Sequence, residues 1–104
     1  MSTADGFGRI YYMTFAQKVF QVVSKIPHGK VMTYAAVAKA AGRPRAYRAV
    51  GNVLNKNPRP IEIPCHRVVK SDGKVGGYVG GIYKKVRLLQ QEGIPIYNNR
   101  IAIT

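Results

Sequence analysis

The segment IEIPCHRVVK, residues 61 to 70, holds the chain's only cysteine, Cys65, between Pro64 and His66. A thiol is a potential nucleophile, but near its reference pKa of about 8.5 only a few per cent is thiolate at neutral pH. Activating it takes a base, a positive environment, or both. His66 and Arg67 follow at once and offer one of each. Neighbouring side chains in extended backbone point apart, so His66 reaches the sulfur through a bridging water or after a turn in the chain. Cysteine hydrolases draw their base from a distant segment, and the one other histidine, His28, falls in a turn-forming PHGK stretch. A hydrolase triad therefore fits poorly. The competing reading is structural, because a free cysteine is commonly a small buried hydrophobe.

Two histidines and one thiol, without CxxC or HExxH spacing, argue against a zinc site. No metal or cofactor is expected, since neither a ligand cluster nor a phosphate-binding loop is present. A lone cysteine forms no internal disulfide, which suits a reducing compartment: the cytoplasm, or the nucleus in a eukaryote. The start, MSTADGFGRIYY, lacks the apolar centre of a signal peptide, and no apolar run is long enough to span a bilayer.

The chain has 104 residues, 46% of them hydrophobic, enough for one small globular domain. Seventeen Lys and Arg stand against four acids, a formal net charge of +13. That surplus calls for a polyanionic partner, nucleic acid above all, bound in a salt-sensitive way. Charge alone does not separate DNA, RNA and an acidic membrane.

The elements that must position the thiol are legible from periodicity. Residues 1–12 read as a flexible lead and 13–104 as the domain. TFAQKVFQVVSKI places Phe15, Val19, Val22, Val23 and Ile26 at helical spacing behind a Thr14 N-cap. A second helix follows a Thr33 cap and stops at Gly42. A third, AYRAVGNVLNK, sets Ala46, Val50, Val53 and Leu54 against Arg45, Arg48, Asn52 and Lys56 on the opposite face. Two short helices joined by a tight turn, the second basic outside, read as a helix-turn-helix; an ordinary helical hairpin is the competing interpretation. RVVKSDGKVGGY suggests two short strands around a turn at Asp72 and Gly73. GIYKKVRLLQQEG predicts a last helix with Ile82, Val86 and Leu89 inward and Gly93 closing it. IPIYNNRIAIT fits a small hairpin bent at Asn98 and Asn99.

IPCHRVV closely resembles the active-site signature of the O6-alkylguanine-DNA alkyltransferases, the methylated-DNA–protein-cysteine methyltransferases. The likeness runs in order through GKVMTYAAVAKAAG, RAVGNVLNKNP, IPCHRVV, GKVGGYVGG and LLQQEG, covering roughly residues 14 to 93. It implies a mainly α fold with small β elements, a winged-helix-like helix-turn-helix DNA-binding domain. It also implies irreversible transfer of an alkyl group from O6-alkylguanine in double-stranded DNA to Cys65, with O4-alkylthymine left open. His66 is then the base acting through water, and Glu92 its orienter. Asn57 supports the turn before the cysteine, and Tyr34 protonates the leaving guanine and presses on a phosphate. Arg48 enters the duplex where the base was flipped out through the minor groove, with Arg43, Arg45, Tyr47, Asn52 and Lys56 also on the DNA. Pro64, Val68, Tyr78, Val79 and Gly80 frame the base pocket. A monomer is expected, with clustering along DNA left open.

Three departures from the family layout stand out. The usual N-terminal domain is absent, which implies a minimal form carrying only the DNA-binding and alkyl-accepting part. Val79 replaces a common serine, removing a hydroxyl from the pocket, and Tyr47 is bulkier than expected beside Arg48. Alkyltransferase-like proteins, which bind the same lesions without transfer, are the alternative; those lack the cysteine that this chain keeps. An architectural nucleoid protein would explain the charge but not PCHR.

Overall fold

Thr14 accepts a hydrogen bond from the Gln17 N–H, and the Gln17 side chain accepts from the Thr14 N–H, closing a capping box. Behind it runs α1, Phe15–Ser24, with Val19 and Val23 completely buried. The computed structural model describes residues 13–101 and the backbone of two short strands, β1 (Thr3–Ala4) and β2 (Ile10–Tyr11), paired antiparallel. The flexible lead expected over residues 1–12 otherwise lies outside the described residues, as do residues 102–104.

After the PHGK turn, β3 (Met32–Thr33) leads directly into α2 (Tyr34–Ala40), capped by Thr33 accepting from the Ala36 N–H. Gly42, at φ +89°, takes the left-handed conformation that ends α2. The third helix, α3 (Tyr47–Leu54), packs on α2 through Val50 and Leu54. Its basic face is shorter than the sequence pattern suggests. Arg48 and Asn52 lie on the helix, while Arg45 precedes it and Lys56 follows it in turns. A turn closed by the Ala46 N–H on the Arg43 carbonyl at 2.9 Å takes up Pro44 and Arg45 before the helix begins.

A single 3-10 turn, Cys65–Arg67, feeds β4 (Val68–Val69), which pairs in parallel with β3. The register matches Met32 to Val68 and Thr33 to Val69, so the start of α2 is held beside the cysteine turn. The expected pair of strands around Asp72 forms only in part. Lys70 N–H donates to the Lys74 carbonyl at 2.9 Å, but β4 takes β3 as its strand partner and Lys74 bridges instead to Arg100. The last helix, α4 (Ile82–Gln91), ends at Gly93 (φ +84°). Leu89 is buried on it and Val86 partly so, but Ile82 is 42% exposed and the inward position belongs to Lys85, with none of its surface exposed. Lys85 is one turn past Ile82 and one turn before Leu89, and polar partners inside the fold outbid an apolar contact there. A hairpin, β5 (Ile96–Tyr97) and β6 (Arg100–Ile101), closes the described chain, with Asn98 and Asn99 both at positive φ as a two-residue turn requires.

The main core joins α1, α2 and α3 to the cysteine turn; Cys65, Val68 and Tyr78 belong to it. A second cluster, Val69, Val75, Leu89 and Ile101, ties α4 and the hairpin to β4. Gly76 sits between the two at φ +76°, and a Cβ there would lie 3.0 Å from the Tyr34 hydroxyl and 3.3 Å from Lys70 Cγ. Left-handed backbone and the close tyrosine both exclude a side chain. Gly76→Ala should therefore destabilise the protein by about 2 kcal/mol in denaturant titrations and shift the fluorescence of Tyr34. A stability equal to wild type would refute this packing.

Candidate active site and nucleic-acid interface

Asn57 is the brace for the cysteine segment. Buried at 4% exposure, it donates through Nδ2 to the Ile63 carbonyl at 2.8 Å and accepts at Oδ1 from the Arg59 N–H at 2.8 Å. The Cys65 N–H donates to the same Ile63 carbonyl at 2.7 Å. Pro64, at φ -76°, fixes the entry, and Cys65, His66 and Arg67 then form one 3-10 turn with the first two buried. The extended backbone that would have separated Cys65 from His66 is thus replaced by a turn.

His66 Nε2 lies 2.7 Å from Glu92 Oε2. Both side chains are buried, at 3% and 8% exposure. Glu92 also receives Arg67 Nε at 2.9 Å on Oε1, Arg67 Nη2 at 3.0 Å on Oε2, and the Gly29 N–H at 3.0 Å. Burial opposes its charge, but the hydrogen bonds from Arg67, His66 and Gly29 outweigh it and hold the carboxyl down at about 2. Arg67 Nη1 donates to the Ile26 carbonyl at 2.7 Å, so the same guanidinium ties the end of α1 to the end of α4. That clamp by Arg67 is a site feature the sequence reading missed; a charged residue directly after a catalytic candidate was its only signal.

Burial pushes the His66 pKa below its ordinary 6.5, against the opposing pull of Glu92. The neutral ring keeps its proton on Nε2 and donates a hydrogen bond from it to the carboxylate, which leaves Nδ1 as the acceptor. Nδ1 is buried with no protein partner. Burial likewise pushes the Cys65 thiol up, although Asn57, Lys85 and its own backbone N–H act in the other direction. The expectation that the basic surroundings would favour the thiolate is corrected here: a sulfur only 3% exposed loses more from desolvation than it gains from nearby charge.

Lys85 is the second residue that the sequence reading missed. Its Nζ donates to the carbonyls of Val68 at 2.6 Å and Gly77 at 3.0 Å, and to the Tyr34 hydroxyl at 3.3 Å. Burial lowers its pKa to about 8, with Cys65 opposing. A lysine on the inward stripe of α4, between Ile82 and Leu89, was the available signal. Burial, followed by the nearby Cys65, raises the Tyr34 pKa, so its hydroxyl keeps its proton.

The sulfur is buried yet not sealed. Cys65 lines a cavity of about 250 Å³ with Asn52, Leu54, Tyr78 and Val79, slightly below the roughly 300–1,000 Å³ of drug-sized pockets. A single nucleobase suits that scale. Of the expected pocket residues, Tyr78 and Val79 line it; Pro64 and Val68 are buried and do not, and Gly80 faces a separate groove beside Tyr83. Packing explains the difference, since Val68 lies in the core with its carbonyl taken by Lys85. A larger groove of about 680 Å³ adjoins this cavity through Gly51 and Gly77, and Tyr34, Tyr47 and Arg48 form one of its walls. Arg45, Lys56 and Asn52 are exposed on the same helix-turn-helix unit, and the Arg43 guanidinium stacks over Phe15 at 5.4 Å.

Fold and site together define a winged-helix-like helix-turn-helix DNA-binding domain with a cysteine at the foot of its second helix. Residues 14–94 match the family model described as "6-O-methylguanine DNA methyltransferase, DNA binding domain", and the chain belongs to that family. It is 47% identical over 83 residues to a methylated-DNA–protein-cysteine methyltransferase from Methanothermobacter thermautotrophicus, covering 79% of this chain and 46% of that protein. Among solved structures, Mycobacterium tuberculosis OGT in complex with DNA superposes with a TM-score of 0.75 at 41% identity, over 80% of this chain and 51% of that one. S. pombe ATL in complex with DNA gives 0.73 at 32% identity, over 86% and 88%. The chain spans about half the length of the curated relatives it matches.

Because the Glu92 pKa is depressed from 4.5 to about 2, its folded-state pairing stabilises the protein above about pH 4.5 and is lost as pH falls toward about 2. The contribution is on the order of 3 kcal/mol. Denaturant titrations across that window should show wild-type stability falling by this amount, with Glu92→Gln weaker at neutral pH and flatter in acid. Parallel profiles for the two proteins would refute the clamp.

Proposed function

We propose that this chain repairs alkylated DNA by direct reversal, carrying an alkyl group from O6 of guanine to the Cys65 sulfur. One observation carries the reading: Cys65 lines a cavity of nucleobase size, beside a neutral histidine fixed by a buried carboxylate. The thiol proton passes through a bridging water to His66 Nδ1, and the imidazolium so formed is stabilised by Glu92. The thiolate attacks the saturated alkyl carbon, forming the S–C bond as the C–O6 bond breaks. The electron pair leaves with guanine, which takes a proton from the Tyr34 hydroxyl. Lys85, 3.3 Å from that oxygen, stabilises the phenolate that remains.

The thioether is not hydrolysed, so each molecule acts once. The target atom lies inside the base stack and must be flipped out at a cost of a few kcal/mol. Arg48, exposed on α3 at the groove, fills the space it leaves. Tyr34 presses on the adjacent phosphate, and Asn52, Arg45, Lys56, Arg43 and Tyr47 hold the minor-groove walls without reading sequence. Tyr78 stacks on the base; with valine at position 79, backbone N–H groups meet the guanine oxygen. Binding as a monomer in the cytoplasm, or the nucleus of a eukaryote, completes this reading. The likeness to S. pombe ATL, which spans most of that protein, supports a second reading as a lesion-binding sensor.

Intact-mass analysis after incubation with a duplex carrying O6-methylguanine separates the two. Transfer adds one methylene to the Cys65 peptide and restores guanine, while Cys65→Ala binds without transfer; a sensor leaves both masses unchanged. Arg48→Ala should slow duplex repair about tenfold, equivalent to about 1.4 kcal/mol, and spare transfer from the free alkylated base. Equal loss on both substrates would rule out the insertion role. The rate should also fall in acid with a midpoint below 6.5, as His66 gains a proton. A midpoint above 6.5 would contradict a buried neutral base.

A further inference from the structure

The family match ends at residue 94, yet the chain continues in ordered form through the β5–β6 hairpin. This hairpin is firmly attached to the loop after the cysteine strand. Ile101 N–H donates to the Gly73 carbonyl at 2.8 Å and Val75 N–H to the Asn99 carbonyl at 2.9 Å. Lys74 and Arg100 pair as an antiparallel bridge. Ile101, 7% exposed, anchors the hairpin in the cluster of Val69, Val75 and Leu89. The loop and the hairpin therefore make one composite wing.

Its outer surface is basic. Lys70, Lys74 and Arg100 are all exposed and surround a single exposed acid, Asp72. The Lys74 N–H donates to Asp72 Oδ1 at 3.0 Å. That hydrogen bond is the main reason the carboxyl sits below its ordinary pKa; slight desolvation opposes it, and the charges of Lys70, Lys74 and Arg100 add to it. Three cations against one acid leave a net positive patch. Lys70 and Asp72 also line the groove whose facing wall is Tyr47 and Arg48, so the patch is continuous with the edge of α3. Tyr97, paired with Arg100 across the hairpin, is 81% exposed.

We propose that the β5–β6 hairpin, which lies beyond the residues that the family model matches, is a second backbone clamp on the duplex. Arg100 and Lys74 neutralise phosphates, and the Tyr97 hydroxyl donates to the same strand. The partner is duplex DNA on charge complementarity: a polyanion already enters the groove from the α3 side, and the wing presents the matching sign on its other wall. This inference rests on the DNA-repair reading above.

The test uses the full chain and an undamaged duplex, with affinity measured by anisotropy across a salt series. Each phosphate contact contributes a slope of about 0.9 in log K against log salt. The double variant R100A/K74A should bind about tenfold more weakly and lose about 1.8 from the slope, with an unchanged unfolding midpoint. R100K should recover most of the loss. D72N, which keeps the turn acceptor but removes the negative charge, should bind more tightly than wild type. Unchanged affinity and slope in R100A/K74A, while wild type binds duplex, would overturn the hairpin clamp and leave the repair reading intact. A wild type that bound no duplex would overturn both. If R100K/K74A bound as weakly as R100A/K74A, and adding D72N to R100A/K74A restored nothing, the clamp would also be overturned, by assigning the effect to structure instead of charge.

Discussion

The carboxylate of Glu92 is the point at which three separate parts of the chain meet. It accepts from His66 and Arg67 on the cysteine turn and from the Gly29 N–H after α1, and it stands at the end of α4. Arg67 extends the junction to the Ile26 carbonyl. A buried carboxylate is costly unless its lone pairs are filled, and here donors from two segments fill them. The histidine beside the reactive sulfur is oriented by the same bonds that hold the last helix against the first. Stability and the proposed chemistry are therefore coupled through one side chain.

Around that junction, burial sets the protonation states. It raises the Cys65 thiol and lowers His66, so both rest uncharged. If each molecule is consumed in a single reaction, as proposed, it gains from this arrangement, because a permanently ionised sulfur would meet stray electrophiles before it met DNA. Under the proposed reading, the base is present, correctly tautomeric and waiting, and the thiol surrenders its proton when an alkylated base enters. Nearby Lys85 lowers the cost of that anion without touching the substrate.

Lys85 also shows how a polar group substitutes for packing. The carbonyls of Val68, in the short strand β4, and of Gly77, in the loop beyond it, both point to the buried end of Lys85. One ammonium satisfies both and reaches the Tyr34 hydroxyl as well. The loop lining the base-sized cavity, the strand behind it and the start of α2 are fixed by a single buried charge.

Much of this was legible in order along the chain. Thr14 and Thr33 as helix caps, Gly42 and Gly93 as stops, and Asn98–Asn99 as a hairpin bend follow from local backbone chemistry, which needs no distant partner. The motif blocks implied a common site for Cys65, His66, Glu92, Asn57 and Tyr34; in the fold His66 bonds to Glu92 and Asn57 braces the Ile63 carbonyl before the cysteine turn. Lys85 in the inward place expected of Ile82, the pairing of β4 with β3, and Val68 in the core instead of on the cavity wall were not legible. Each depends on which distant backbone group lacks a hydrogen-bond partner, and that is known only once the helices have packed. Local periodicity and motif chemistry, carried by near neighbours, were determined by the sequence itself; protonation states, the Arg67–Glu92 junction and the buried ammonium were decided by tertiary structure, because desolvation and long-range hydrogen bonds exist only in the assembled interior.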